Sequence, residues 1–490
     1  MKVGTTPRGV LTRRTFLGQT TAAASALTIP WLKRTSAQPR AGERERIEQA
    51  IPTEPPAAPR KARRLLIFDH NVGYGGHGSI PTANQAFTRM GQRTGAYETV
   101  VSREPAVFEP DSLSRFDAVF FNNTVGNLFE SPALRQSLVE FVYGGGGLMG
   151  VHGTTVAFTR WPGAHEDWPE FGIMLGARGA NHYDSDEHVF IKLDDPGHPV
   201  NQAFGGKGFD YRDEFFRVHA PYSRDRVRVL FSIDMDKTTI DGQPRGNCHR
   251  DDNDYALAWV RQYGRGRVFY CTIAHNPYVF WDPTMLRFYL AATQFALGDL
   301  AAPTTPSARL TPAVRAQERL GWRLALAPPP NTELTLFDLI DKAAEQGLLY
   351  VGASSLQKVS ADIPRQLDDQ LTPDDRKQIR FKLDAAGIRL LTYHVDDELA
   401  RQTGRERILE FARTMGCEAV ESKAKNLVMD AAPEIVRVDG LAGVQDATPL
   451  LTRMSESDPI PTIFAVEFGG EWIQDITFLN EKCVALAERS

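Results

Sequence analysis

The strongest constraint on this chain is an alternation. Between Lys61 and Gly298, short runs rich in β-branched and aromatic residues ("RRLLIFD", "YETVVS", "DAVFFNN", "GGLMGVH") are separated by stretches with helical patterning ("TANQAFTRMGQRTG", "SPALRQSLVEFVYGGGG"). Strands separated by whole helices cannot be hairpin partners. Each helix returns the chain so that the next strand runs the same way, which predicts an α/β fold with a parallel sheet covered on both faces. Further on, "YALAWVRQYGRGRVFYCTIAH" reads as two strands joined by a Gly-Arg-Gly turn. "DPTMLRFYLAATQFALG" reads as a helix with Asp282 as N-cap, Pro283 at its first position and Gly298 at its end.

A chain of 490 residues exceeds one ordinary core. The charged, Pro-rich stretch 38–60 and the Pro-containing stretch 301–320 read as linkers, leaving a first domain at 61–300 and a second at 321–490. The second continues the alternation in "GWRLALA", "LFDLIDKAAEQG", "LLYVGAS", "IRLLTYHV" and "PTIFAVEFGGEW". Residues 1–37 carry six basic residues (Lys2, Arg8, Arg13, Arg14, Lys33, Arg34) and no acid. With Arg13-Arg14 ahead of a weakly apolar run and "TSA" as a small-residue cleavage site, they predict a twin-arginine signal peptide and a periplasmic or secreted protein. That run is too short to span a membrane. Without the leader, 50 basic residues face 61 acidic ones, a net charge near −11 that excludes a general nucleic-acid or anionic-membrane surface. Four cysteines without C-x-x-C spacing give no disulfide framework.

The chemistry-bearing residues fall at predicted strand ends. "GGGGLMGVHGTT" places His152 where a strand meets a Gly-flanked turn, the position that holds a Ser or Cys nucleophile in many α/β enzymes. His275 ends "VFYCTIAH", His182 lies in "GANHYDSDEH" beside Asn181, and Asp213 and Glu214 lie in "DYRDEFFRV". Parallel strands deliver such residues to one edge, where ligands bind. "GYGGHG" (73–78) follows the first strand with dinucleotide-like glycine spacing. Because no acid ends the second strand, it reads as a turn carrying His77 instead. Histidine moves protons near neutral pH and also ligates metals; no H-x-x-x-H or H-E-x-x-H spacing specifies a divalent metal ion, so both uses stay open.

"GGGGLMGVHGTT", "WPEFGIMLGARGANH", "HPV", "RDEFFR", "AWVRQYGRGRVFYCTIAHN" and "DPTMLRFYLAATQFALG", in that order over about residues 62–298, resemble the trehalose-utilisation or ThuA-like family. The resemblance implies a flavodoxin-like sheet of the class I glutamine amidotransferase type. It also implies a role in breaking down disaccharides, among them oxidised (3-keto) glycosides supplied by an upstream sugar oxidoreductase. Where amidotransferases carry a Cys nucleophile this chain has His152, and the nearest cysteine is Cys248, so thiol glutaminase chemistry is not expected. A carbohydrate hydrolase, lyase or isomerase is the expected class.

"LFDLIDKAAEQGLLYVGASS", "FKLDAAGIRLLTYHV", "FARTMGCEAVESKA" and "PTIFAVEFGG" resemble the sugar-phosphate isomerase/epimerase, xylose-isomerase-like barrel. That family holds a divalent metal through strand-end side chains, and Glu467 and Glu421 match two of its carboxylates. A full (β/α)₈ barrel needs roughly 200–250 residues, and 321–490 supplies 170, which predicts a partial TIM-barrel-like domain. The expected site therefore lies in the first domain: His152 and His275 for acid–base or ligand work, Asp213 or Glu214 as partner carboxylate, and His77, Asn181 and His182 for substrate contact. Two alternatives remain at this level. One is a non-catalytic sugar-binding protein that presents substrate to a partner enzyme; the other is a metal-dependent sugar isomerase working through the second domain.

Overall fold

The computed structural model describes residues 38–162, 165–239, 248–329, 332–422, 434–438, 462–469 and 472–488. The predicted signal peptide lies outside the described residues. The first unit is built on nine strands: β1 (Arg64–Phe68), β2 (Glu98–Ser102), β3 (Ala118–Asn122), β4 (Gly147–Val151), β6 (Glu187–Leu193), β7 (Phe209–Asp213), β9 (Arg228–Ile233), β10 (Ala256–Tyr263) and β11 (Gly266–Cys271). Two shorter strands, β5 (Arg178–Asn181) and β8 (Arg217–His219), form a separate antiparallel pair. The order across the large sheet is β2-β1-β3-β4-β11-β10-β9-β6-β7.

The predicted parallel sheet accounts for one half of this array. β2, β1, β3, β4 and β11 are parallel, whereas β10, β9, β6 and β7 add antiparallel ladders. Helix-length connections fix direction only in the first half. The Gly264-Arg265-Gly266 turn between β10 and β11 makes a true hairpin, as its sequence indicates.

Period-two alternation sorts the strand residues between two faces. Leu65 and Ile67 pack with Phe120, Met149 and Phe269 under α2 (Ile80–Thr94) and α4 (Pro283–Leu297). Leu66 and Phe68 join Val119, Phe121, Leu148 and Tyr270 under α3 (Pro132–Tyr143). All four β1 residues are fully buried, each contributing about 1.5–3 kcal/mol. α4 begins as predicted: the Asp282 carboxylate accepts from Thr284 and Met285 N–H groups at 2.8 and 3.2 Å, and Gly298 closes the helix at φ +87°.

Both predicted linkers contain helix. Ala41–Ala50 forms α1, docked on the first core by fully buried Ile47, by Ala50 and Ile51 at its end, and by the Glu48–Arg89 ion pair and Arg46 over the Trp281 ring. Pro312–Leu320 forms α5, capped by Thr311 and burying Ala316 and Leu320 against the second unit.

Among the described residues the second unit is a half-barrel of six parallel strands. They are β12 (Trp322–Ala327), β13 (Tyr350–Ser354), β14 (Arg389–His394), β15 (Ala419–Glu421), β16 (Glu434–Val438) and β17 (Thr462–Glu467), ordered β15-β14-β13-β12-β17-β16. Helices α6 (Leu336–Glu345), α7 (Pro373–Ala386), α8 (Arg405–Thr414) and α9 (Trp472–Ala487) accompany it. Glu421 and Glu467 stand at the carboxyl ends of β15 and β17.

The units are joined by buried charge. Arg380 of α7 reaches Glu170 at 2.9 Å, and Asp384 of α7 accepts from Arg261 at 2.6 Å and from Arg226. Among the described residues no helix is long and apolar enough to cross a membrane.

Candidate functional site

β4 delivers His152 to the carboxyl edge of the sheet in a conformation few residues adopt. Its φ is +44°, left-handed for a residue with a Cβ, which costs about 1–2 kcal/mol. The turn is held from both sides. Thr154 donates to the Phe121 carbonyl at 2.8 Å, and Tyr270 donates to the His152 carbonyl at 2.8 Å. The small flanking residues in "GVHG" are explained by close approach: a Cβ on Gly150 would lie 2.8 Å from Thr154, and one on Gly153 would lie 3.0 Å from the His77 ring.

Around His152 the structure gathers groups from four other segments. His77 comes from the Gly-rich loop after β1, His182 from the residue after β5, Glu214 from the residue after β7, and His275 from the loop after β11. His77 and His152 ring centroids are 4.8 Å apart, His152 and His275 are 5.1 Å apart, and His77 and His275 are 5.3 Å apart. Glu214 sits among them. Its Oε1 is 3.3 Å from His152 Nε2, and its Oε2 is 3.2 Å from His182 Nδ1 and 3.7 Å from His275 Nε2. His77, His152, Glu214 and His275 each bring a ligand-capable atom to within 4.8 Å of the others, the set of described residues able to hold a metal ion here.

Burial sets the charge pattern. Desolvation, helped by neighbouring His152 and His275, pushes the His77 imidazole down to about 2. Desolvation and His152 push His275 down to about 4. For Glu214 burial opposes the charge, but the close approach of His152, joined by His182 and His275, holds the carboxyl below its ordinary range. The result is that burial disfavours the charged form of His77 and His275 while the Glu214 carboxylate between them stays ionised.

Asp213 plays a different part from the one expected. It is fully buried and does not line the cluster: its carboxylate accepts the His275 and Asn276 backbone N–H groups at 3.0 Å each and the Asn276 amide at 2.8 Å. It fixes the loop that carries His275. Burial pushes its carboxyl up to about 6. Asn181 ends β5 opposite Arg217 and is placed by the ladder beside His182.

Four contributors were not singled out from the sequence. Asn276 braces Asp213. Asn123, at φ +53°, donates to the Ala274 carbonyl and Ser79 and accepts from Gly153 N–H, tying together the loops of His77, His152 and His275. Tyr74 and Trp161 form the apolar rim, with Tyr74 5.1 Å from the His77 ring and 5.8 Å from Trp161. The asparagines at the end of "VFFNN" carried a strand-end signal; the rim carried none. Next to His77 opens a cleft of about 290 Å³ whose lining includes Asp69, Asn71, Tyr74 and Arg103.

Residues 64–296 match the family model for trehalose utilisation, ThuA. No curated protein matches the chain. Among solved structures, a ThuA-like protein from Bacteroides uniformis is 18% identical, covering 49% of this chain and 94% of its own, with a TM-score of 0.38. A ThuA-like protein from Parabacteroides merdae is 17% identical over 49% and 92% of the two chains, with a TM-score of 0.35. A cytoplasmic protein from Salmonella typhimurium is 17% identical over 48% and 98%, with a TM-score of 0.33.

Proposed function

Starting from a ThuA-like unit at residues 64–296, we propose that this protein is a carbohydrate-processing enzyme of sugar catabolism whose reacting centre is the His/Glu cluster at the sheet edge. One observation carries the reading. Four histidines and one carboxylate, drawn from five separate segments, converge within hydrogen-bonding or ring-contact distance in the matched unit. Structural histidines satisfied one at a time have no reason to converge in this way. The family match supports a role in sugar metabolism, and the Tyr74–Trp161 rim supplies the apolar faces on which a sugar ring can lie.

Within this centre His182 is the proton carrier. Its Nδ1 faces two acceptors, the Tyr183 carbonyl at 2.8 Å and Glu214 at 3.2 Å, so Nδ1 holds the proton and Nε2 is the basic atom. Glu214 orients that ring much as a buried carboxylate orients a catalytic histidine elsewhere. The substrate class is a disaccharide or glycoside, including one oxidised to a 3-keto sugar by an upstream oxidoreductase.

The test is turnover of a panel of disaccharides and their 3-keto forms. His182→Ala and His152→Ala should each lower turnover about 10²–10⁴-fold with the far-ultraviolet circular dichroism unchanged. Sugar binding without turnover in the unaltered protein would make it a presenting protein and overturn the enzymatic reading. Export belongs to the same proposal, supported by Arg13-Arg14 in an acid-free segment. Arg13→Lys with Arg14→Lys should retain the protein in the cytoplasm, and undiminished periplasmic recovery would refute export.

A further inference from the structure

We propose that His77, His152, His275 and Glu214 form the binding site of one divalent transition-metal ion of the zinc class. The warrant starts from a proton count. His152 Nδ1 lies 3.0 Å from the Thr272 carbonyl, which can only accept, so Nδ1 carries the hydrogen. In the neutral ring Nε2 then presents a lone pair, and what it faces at 3.3 Å is an oxygen of Glu214. Two electron-rich atoms confront each other in a dry interior, and His152 Nε2 has no geometrically sound hydrogen bond there. A cation between them removes the conflict.

A proton on Nε2 would settle that one pair. It would leave His77 Nδ1, which is also buried without a partner, and the His275 ring, whose Nε2 faces the other Glu214 oxygen at 3.7 Å. A metal ion satisfies all four groups together. Ligands at about 2.0–2.2 Å around a tetrahedral ion stand about 3.3–3.6 Å from one another. The 3.3 Å between His152 Nε2 and one Glu214 oxygen is close to that spacing, and one ligand atom from each of the four residues lies within 4.8 Å of the rest, so side-chain shifts of about an ångström close the shell.

The donors select the metal class. Three imidazoles and one carboxylate suit zinc and its transition-metal neighbours, whereas magnesium and calcium require mainly oxygen. The carbonyl of Thr272 behind His152 is the outer contact that metal-bound histidines use to fix ring orientation. A metal there supplies Lewis-acid polarisation of a substrate oxygen, with His182 outside the ligand set.

The readout is independent of any sugar, so failure here and failure of the proposed function are separable. The full chain, stripped with a chelator, is titrated with zinc in a calorimeter and with cobalt in a spectrophotometer. The expected result is one equivalent of zinc per chain and visible cobalt bands of nitrogen–oxygen coordination. His152→Ala and Glu214→Gln should each weaken zinc at least about a hundredfold, beyond what loss of an outer contact alone causes. His188→Ala, at an exposed histidine paired with Asp210, should leave the affinity unchanged. Less than a tenth of an equivalent bound by the unaltered chain, or affinity kept in the Glu214→Gln protein, overturns the proposal. Should His152→Ala fail to fold, the cobalt spectrum of the unaltered chain and the isosteric Glu214→Gln decide it.

Discussion

Asp213→Asn is an isosteric change that removes a buried charge, and on burial alone it should be harmless or favourable. Its hydrogen bonds predict the reverse. Both carboxylate oxygens accept backbone N–H groups, Oδ2 from His275 and Oδ1 from Asn276, and Oδ1 also accepts the Asn276 amide. An asparagine must turn its NH₂ toward one of these donors. The cheaper flip faces His275, which orphans that backbone N–H and the new NH₂ together. Each buried unsatisfied group costs about 1–3 kcal/mol, so the substitution should cost about 2–6 kcal/mol. For a unit of this size that lowers the Tm by about 4–24 °C. Asn276→Ala removes the 2.8 Å bond to Asp213 together with the amide's bonds to the Ser185 carbonyl at 2.7 Å and to Tyr278 at 3.4 Å, yet leaves no backbone N–H of the His275 loop unpaired, and should cost about 0.5–1.5 kcal/mol. Urea denaturation followed by near-ultraviolet circular dichroism measures both. Because the lost bond anchors His275, turnover should also fall about 10–100-fold, the usual effect of removing a second layer of support. An Asp213→Asn protein within 0.5 kcal/mol of the original, or one no worse than Asn276→Ala, would refute this account of the loop.

Glu170→Ala leaves Arg380, 3% exposed, without its partner between the two units. It should cost about 3–5 kcal/mol, with much of the loss recovered when Arg380→Met is added; a loss under about 1 kcal/mol in chemical denaturation would count against a buried clamp. Burial opposes the charge on Glu418, yet Arg389 and Arg323 outweigh it and hold its carboxyl at about 2. A folded pKa below the unfolded one stabilises above pH about 4.5 and loses that contribution as pH falls toward 2, an effect of about 2–3 kcal/mol. Acid titration of Glu418→Gln should show this loss removed, and an unchanged acid limb would contradict it. A Cβ on Gly126, at φ +92°, would lie 1.9 Å from the Val72 carbonyl. Gly126→Ala should therefore cost more than about 1 kcal/mol and displace the loop bearing Tyr74 and His77, seen as weaker sugar binding; retained affinity would argue against the loop's role.

What could be read from the sequence follows from how local each signal is. The α4 helix was legible to its caps, because Asp282, Pro283 and Gly298 act on their own neighbours. His152 and His275 were legible as strand-end groups, because a parallel sheet sends such residues to one edge. The antiparallel half was not, since β6, β7 and β9 find their partners through tertiary packing rather than connection length. Helix α1 was obscured by its charge, as it docks through few apolar residues, Ile47 foremost, and through the Glu48–Arg89 ion pair with a distant segment. Asp213 and Glu214 are adjacent in sequence yet divide the work, one bracing a loop and one lining the cluster; adjacency cannot show which way each carboxylate turns. His77 was expected to contact substrate, and the structure sets it among the other rings and on the lining of the neighbouring cleft, because its loop folds inward over Gly153.

Glu214 enters the centre from the end of β7, the outermost strand of the antiparallel half, which among the described residues pairs with β6 alone. The other members arrive from the loops around the parallel half and from residue 182, so the cluster spans positions 77 to 275. Such distant closures form slowly and late, and an edge strand is among the first segments to open. The sheet can therefore stay folded while the centre comes apart. Rising denaturant should abolish turnover before it erases the β-signal, with the gap between the two curves reporting how firmly β7 is docked.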